Sequence, residues 1–143
     1  MGEIRIDYDS LKAFSLGILK ALKVPSSHAS LVADNLLYSN LRGVDSHGAQ
    51  LLTFYSKQIE AENIDVEAEG HIDSESGACV VYECENGLGQ VTADQCCQHA
   101  VRVAKELGMA FITARNATHF GAAAFWAQRM ARKGMLGIVG CNA

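Results

Sequence analysis

Along the first sixty residues of the chain, apolar residues recur at helical spacing; past residue 77 they contract into short β-branched runs. Leu11, Phe14, Ile18, Leu19 and Leu22 share one face of a helix that Asp9 or Ser10 would cap and that stops before Pro25. Ser26 or Ser27 then opens a second helix carrying Val32, Leu36 and Leu37, with Gly43 free to take the left-handed turn at its end. Asp45 or Ser46 opens a third, carrying Leu51, Leu52, Tyr55 and Ile59, and the acidic run "EAENIDVEAEG" leads out of it as a solvated loop.

The period then changes. "ACVVYEC" (78–84) is short and rich in β-branched and aromatic residues, as strands are. A helix over 89–108, a strand "MAFITAR", a helix over 121–134 and a strand "MLGIVGC" (135–141) follow. Alternation of this kind predicts an α/β fold with a sheet that is at least partly parallel. The expected organisation is an N-terminal helical segment over 1–75 and the first part of an α/β domain over 76–143. An apolar strand running straight into the chain end leaves an edge that native domains cover, so the sequence reads as a fragment of something longer.

Composition narrows the partners. The 143 residues are 49% hydrophobic and 20% charged, as in globular domains, and the formal net charge of −4 disfavours nucleic acid or an anionic membrane surface. A small molecule or another protein is the expected partner. No apolar run has the length of a membrane span, the first ten residues lack a signal-peptide pattern, and the expected location is the cytoplasm. Ile6 stands where a myristoylation signal after Met1-Gly2 has Ser or Thr. The five cysteines, at 79, 84, 96, 97 and 141, read as reduced thiols. Zinc is not expected, because Cys96 with His99 is a helical pair without further ligands.

Two stretches raise the same chemical question. "NATHFGAAAF" (116–125) sets His119 between a hydroxyl residue and a Phe-Gly step, and "GVDSHGAQ" (43–50) sets His47 between Ser46 and Gly48. If Ser46 caps one helix, and Thr118 or Asn116 another, both imidazoles lie in first turns, where free backbone N–H groups favour an anion. Such a site suits a small carboxylate or phosphate beside a group that exchanges a proton, which fits carbonyl reduction next to a carboxylate. The helix end lowers a histidine's pKa, whereas a facing Asp45 raises it. Either histidine alone also reads as a surface or turn residue. His28, His71 and His99 have no such context. "ENGLGQVTAD" supplies Gly87 and Gly89 of a GxGxxG pattern, but Thr92 replaces the third glycine and Glu106 is poorly placed to hold a ribose.

Taken together, "LRGVDSHGAQLLTFY", "ENGLGQ" and "NATHFGAAAFWAQRMARKGMLGIVGCNA" resemble the malate/L-lactate dehydrogenase family, which is distinct from the Rossmann-type enzymes. The resemblance implies a non-Rossmann fold, NAD or NADP as cofactor, a homodimer when full length, and interconversion of a 2-hydroxy acid with its 2-oxo acid. By the same resemblance His47 is the proton donor to the substrate carbonyl and Ser46 its hydrogen-bonding neighbour. Arg42 and Tyr55 fall on the substrate side, His119 touches substrate or nicotinamide, and Asn142 lies on the cofactor side at a strand end. Gln50, Leu51 and Leu52 occupy the region where several relatives carry a substrate-clamping arginine. The competing expectation is a truncated, non-catalytic relative that acts by association.

Overall fold

The computed structural model describes residues 5–142; Met1, Gly2 and Ala143, on which the myristoylation and chain-end readings bear, lie outside the described residues. The chain forms helices α1 (Tyr8–Ala21), α2 (Ser26–Leu41), α3 (Leu52–Glu60), α4 (Gly89–Leu107) and α5 (Ala123–Ala131). Its strands are β1 (His71–Ser76), β2 (Cys79–Glu83) and β3 (Phe111–Arg115).

The α1–α2 hairpin forms as the apolar spacing predicts, with two shifts at its caps. Asp7, not Asp9 or Ser10, caps α1 and accepts from the Ser10 N–H at 3.0 Å. Pro25, already extended at φ −53° and ψ 143°, precedes α2 without a side-chain cap, so neither Ser26 nor Ser27 serves. Gly43, at φ +71°, makes the left-handed turn beyond α2. Leu19, Val32, Leu36 and Leu37 are buried together with Leu52, Tyr55, Leu88 and Val91, while Phe14, expected on the same stripe, is 61% exposed.

The third helix starts late. Residues 45–47 and 49–51 form two 3₁₀ turns, separated by an extended Gly48, and the α-helix begins only at Leu52. The cause is Asn40 on α2, whose Nδ2 donates to Asp45 Oδ1 (2.6 Å) and whose Oδ1 accepts from the Ala49 N–H (2.8 Å). These bonds hold the backbone in a tighter turn than an α-helix would adopt.

The sheet order is β1-β2-β3, with β1 antiparallel to β2 and β2 parallel to β3 across the α4 crossover. β1 has no apolar alternation and every residue in it is exposed; ladder pairing with β2 across the Gly77 turn defines it. The expected strand at 135–141 does not form. Those residues pair with no strand among the described residues, and Leu136 and Ile138 are 93% and 90% exposed. A β-branched run supplies propensity, but a strand exists only through a ladder partner. A second apolar cluster joins Cys97, Phe125 and Trp126 to Tyr38 and Phe120, tying α5 to α2 and α4.

All five cysteines are free thiols. Burial pushes Cys96 up to about 12 and Cys97 up to about 11, so neither is a ready thiolate at neutral pH. Among the described residues no helix is long and apolar enough to cross a membrane, and no group of three or more His, Cys, Asp or Glu could hold a metal.

Candidate active site

The loop after β3 carries His119. Asn116 leaves the strand in the left-handed region (φ +50°) with its Nδ2 donating to both Glu83 carboxylate oxygens at 2.9 Å. Thr118 Oγ1 then donates to the Gly87 carbonyl (2.7 Å) and accepts from the Gly89 N–H (2.9 Å). α5 begins at Ala123, so neither Asn116 nor Thr118 caps it, and His119 lies in the preceding loop rather than in a first turn. The chain is turned there by Gly121 at φ +76°, where a Cβ would overlap the Asn35 side chain.

This packing also answers the glycine pattern. A Cβ on Gly89 would run into the Thr118 and His119 carbonyls, and one on Gly87 would meet the Ala68 carbonyl at 2.7 Å. The turn before α4 is filled by the chain's own backbone and does not cradle a pyrophosphate.

The Tyr55 hydroxyl reaches His119 Nδ1 at 2.8 Å, and Gln90 Nε2 donates to the same phenolic oxygen at 2.6 Å. The Gly121 N–H also points at Nδ1, at 3.4 Å. Tyr55 and Gln90 are fully buried, and burial pushes the Tyr55 phenol well above its usual pKa. His119 itself is shifted down, first by burial and then by the neighbouring His47. Asn35, also fully buried, presses against Gly121 with neither amide atom hydrogen-bonded.

His47 is half-buried on the first 3₁₀ turn, with Ser46 Oγ 3.0 Å from its Nδ1. Asp45 is held by Asn40 instead. The two imidazoles that the sequence presents in matching contexts, 72 positions apart, come together with ring centroids 5.6 Å apart and planes tilted by 36°. Phe54 closes the far side of His119 at 6.2 Å. Beside His47 opens a cleft of about 220 Å³ between Tyr38, Arg42 and Val44 on one wall and Ala122–Ala124 on the other. Arg42 lies over the Tyr38 ring and its Nη1 donates to the Tyr38 hydroxyl at 3.1 Å. Ser46, His47, His119, Tyr55 and Arg42 are thus gathered in one region. Asn142 is not at a strand end; it is exposed in the 135–142 segment, which has no regular secondary structure.

A larger groove of about 450 Å³ lies between the sheet and α4, lined by His71, Tyr82, His99 and Arg102. Its histidines face carboxylates, His71 to Glu85 (3.0 Å) and His99 to Glu75 (3.5 Å), which is the chemistry of structural ion pairs. Size favours this groove, but unspent chemistry favours the cleft at His47.

Sequence reasoning gave no role to Gln90 or Asn40. Both are amides whose importance lies in a partner distant along the chain. The only available signal for Gln90 was its place in the "ENGLGQ" block.

The arrangement is an α/β domain in which two imidazoles meet beside a small cleft. Residues 6–143 match the family described as malate/L-lactate dehydrogenase, and the chain belongs to that family. It is 36% identical over 135 residues to a malate dehydrogenase of Pyrococcus horikoshii, covering 94% of this chain and 38% of that protein. To an L-sulfolactate dehydrogenase of Methanocaldococcus jannaschii it is 31% identical, covering 92% of this chain and 38% of the relative. The solved structure of the Pyrococcus horikoshii malate dehydrogenase superposes with a TM-score of 0.89 at 35% identity, over 92% of this chain and 38% of that one. The chain therefore spans under two fifths of the length of these relatives. Membership of a dehydrogenase family implies a nicotinamide cofactor.

The residues present fit part of such a cofactor. The small side chains of Ala122–Ala124 leave room beside His47, and the His119 ring lies 5.6 Å from that of His47. The cleft volume lies below the about 300–1,000 Å³ of a complete small-molecule pocket, which suits a nicotinamide ring or a small acid rather than a whole dinucleotide.

Proposed function

We propose that this chain supplies the acid–base side of the active site of an NAD- or NADP-dependent oxidoreductase that interconverts a small 2-hydroxy acid and its 2-oxo acid. The observation that carries the reading is the His47–His119 pair, 5.6 Å apart, at the edge of the cleft that Arg42 flanks. The names of the malate and sulfolactate dehydrogenases it resembles support the substrate class.

In this reading His47 gives a proton to the carbonyl oxygen during reduction and takes it back from the hydroxyl during oxidation. With Nδ1–H donating to Ser46 Oγ, its Nε2 is the atom that gains and loses the proton, and Ser46 keeps the ring oriented in both states. When bound, the nicotinamide supplies or accepts the hydride at the carbon of that same carbonyl. Arg42 at the cleft holds the substrate carboxylate, exchanging its contact with Tyr38 for a charge-assisted pair. Tyr55 acts through His119, and Asn142 belongs to the cofactor side. Dimerisation of the complete polypeptide through the same region, and residence in the cytoplasm, complete the proposal.

The test is His47→Ala in the complete native polypeptide, assayed with malate, lactate and sulfolactate and either nicotinamide cofactor. Turnover should fall by about 10²–10⁴-fold, with melting little changed because the His47 side chain is only half-buried and its hydrogen bond is to the adjacent Ser46. Unaltered turnover would sink the assignment. A non-catalytic role by association draws on the exposed Met109, Phe111, Leu136 and Ile138. Nicotinamide binding by the isolated chain counts against that second reading.

A further inference from the structure

The hydrogen bonds around His119 have a direction that can be worked out from one fixed donor. A backbone N–H only donates, so the Gly121 N–H pointing at Nδ1 (3.4 Å) makes that nitrogen an acceptor. Tyr55, 2.8 Å from the same nitrogen, must then give its single proton to Nδ1. Its oxygen is left to accept, and Gln90 Nε2, at 2.6 Å, is the donor that meets it. The three bonds are mutually consistent in one arrangement. Reversing the Gln90 amide would send the Tyr55 proton to Oε1, leave Nδ1–H facing the phenolic oxygen, and set it against the Gly121 N–H.

We infer that Gln90 is a positioning residue which, acting through Tyr55, locks His119 as the neutral Nε2–H tautomer. The inference rests on the proposed active site for its meaning but not for its geometry. It gives the two histidines different chemistry. His119 presents a neutral N–H donor to an oxygen of the bound substrate or carboxamide, and it cannot serve as a proton source. Adding a proton at Nδ1 would put two donors against a third. His47 is left as the one imidazole of the pair that changes charge during turnover. The partners of the relay come from three places in the chain: Tyr55 from α3, Gln90 from α4, and Gly121 from the loop itself.

The experiment is long-range ¹H–¹⁵N correlation on the ¹⁵N-labelled chain, followed from pH 8 to pH 5. At pH 7 the His119 Nδ1 should resonate as a bare imine nitrogen and Nε2 as a protonated one, with about tenfold or more bias to that form. An Nδ1–H pattern, or an even mixture, overturns the inference in the wild-type protein without any variant. Gln90→Met keeps length and apolar volume but removes the donor. It should let the Tyr55 hydroxyl turn away and shift the His119 nitrogens toward a mixture. An unchanged nitrogen pattern in a folded Gln90→Met chain shows that Gln90 merely fills space and overturns its part. The readout is independent of turnover. Failure of the His47→Ala test therefore leaves the tautomer assignment standing, and the reverse also holds.

Discussion

The turn that carries His47 and the loop that carries His119 are built alike in sequence, each with a hydroxyl residue before the histidine and a glycine close behind, yet the fold treats them oppositely. The His47 turn is held from one side by the Asn40 amide, with Ser46 exposed and His47 half-buried. The His119 loop is wedged between α3 and the start of α4 by Thr118, Tyr55 and Gln90. A group that must exchange protons with a substrate benefits from access to it. A group that offers a fixed donor benefits from partners that leave only one tautomer. Similar local sequence therefore does not imply similar surroundings, and the difference is made by residues far away along the chain.

The glycines give the strongest way to break this contrast. Gly121→Ala places a Cβ in the fully buried Asn35 amide at a backbone angle of φ +76°. A loss of about 3 kcal/mol or more is expected, read as a large fall in melting temperature. Gly48→Ala meets the Asn40 side chain first, at backbone angles open to any residue. It should cost about 1 kcal/mol and loosen the His47 turn by displacing Asn40. Equal losses in the two variants, measured by chemical denaturation, would erase the distinction between a loop tied to two helices and a turn held by one side chain.

The pH dependence sharpens the same comparison. His119 is shifted below the usual imidazole value of 6.5, chiefly by burial. The unfolded chain takes up its proton first, so stability is fully present above about 6.5 and declines as pH falls from there through the lowered folded value. Calorimetric melting across pH 7.5 to 5 should show this decline in the wild type and a shallower one in His119→Gln. Identical slopes would mean that His119 is not held neutral by the fold.

Much of the helical architecture was legible from spacing alone, because the burial of Val32, Leu36 and Leu37 follows from a period the sequence states openly. The parallel pairing of β2 with β3 followed from strand–helix–strand alternation. β1 was not legible, since "HIDSES" has no apolar face and becomes a strand only by pairing. The run "MLGIVGC" erred in the other direction, with full strand propensity and no partner among the described residues. In the site, the two histidines announced themselves by context, but the break in the third helix depends on Asn40, nine positions before the Ala49 amide it holds. Gln90 was hidden because a glutamine early in a helix ordinarily faces water.

The long reach of the relay has a consequence for the cost of having a site at all. Tyr55 and His119 meet across 64 positions, and Gln90 joins Tyr55 across 35. The Lys12–Asp34 pair that bridges the α1–α2 hairpin closes a span only about a third as long as the first of these. Bringing the ends of the longer span together removes about 1 kcal/mol more chain entropy, and one buried hydrogen bond does little better than offset it. The orientation of His119 is therefore not a local property of "NATHFGA". It is borrowed from the stability of every element packed between residues 55 and 119.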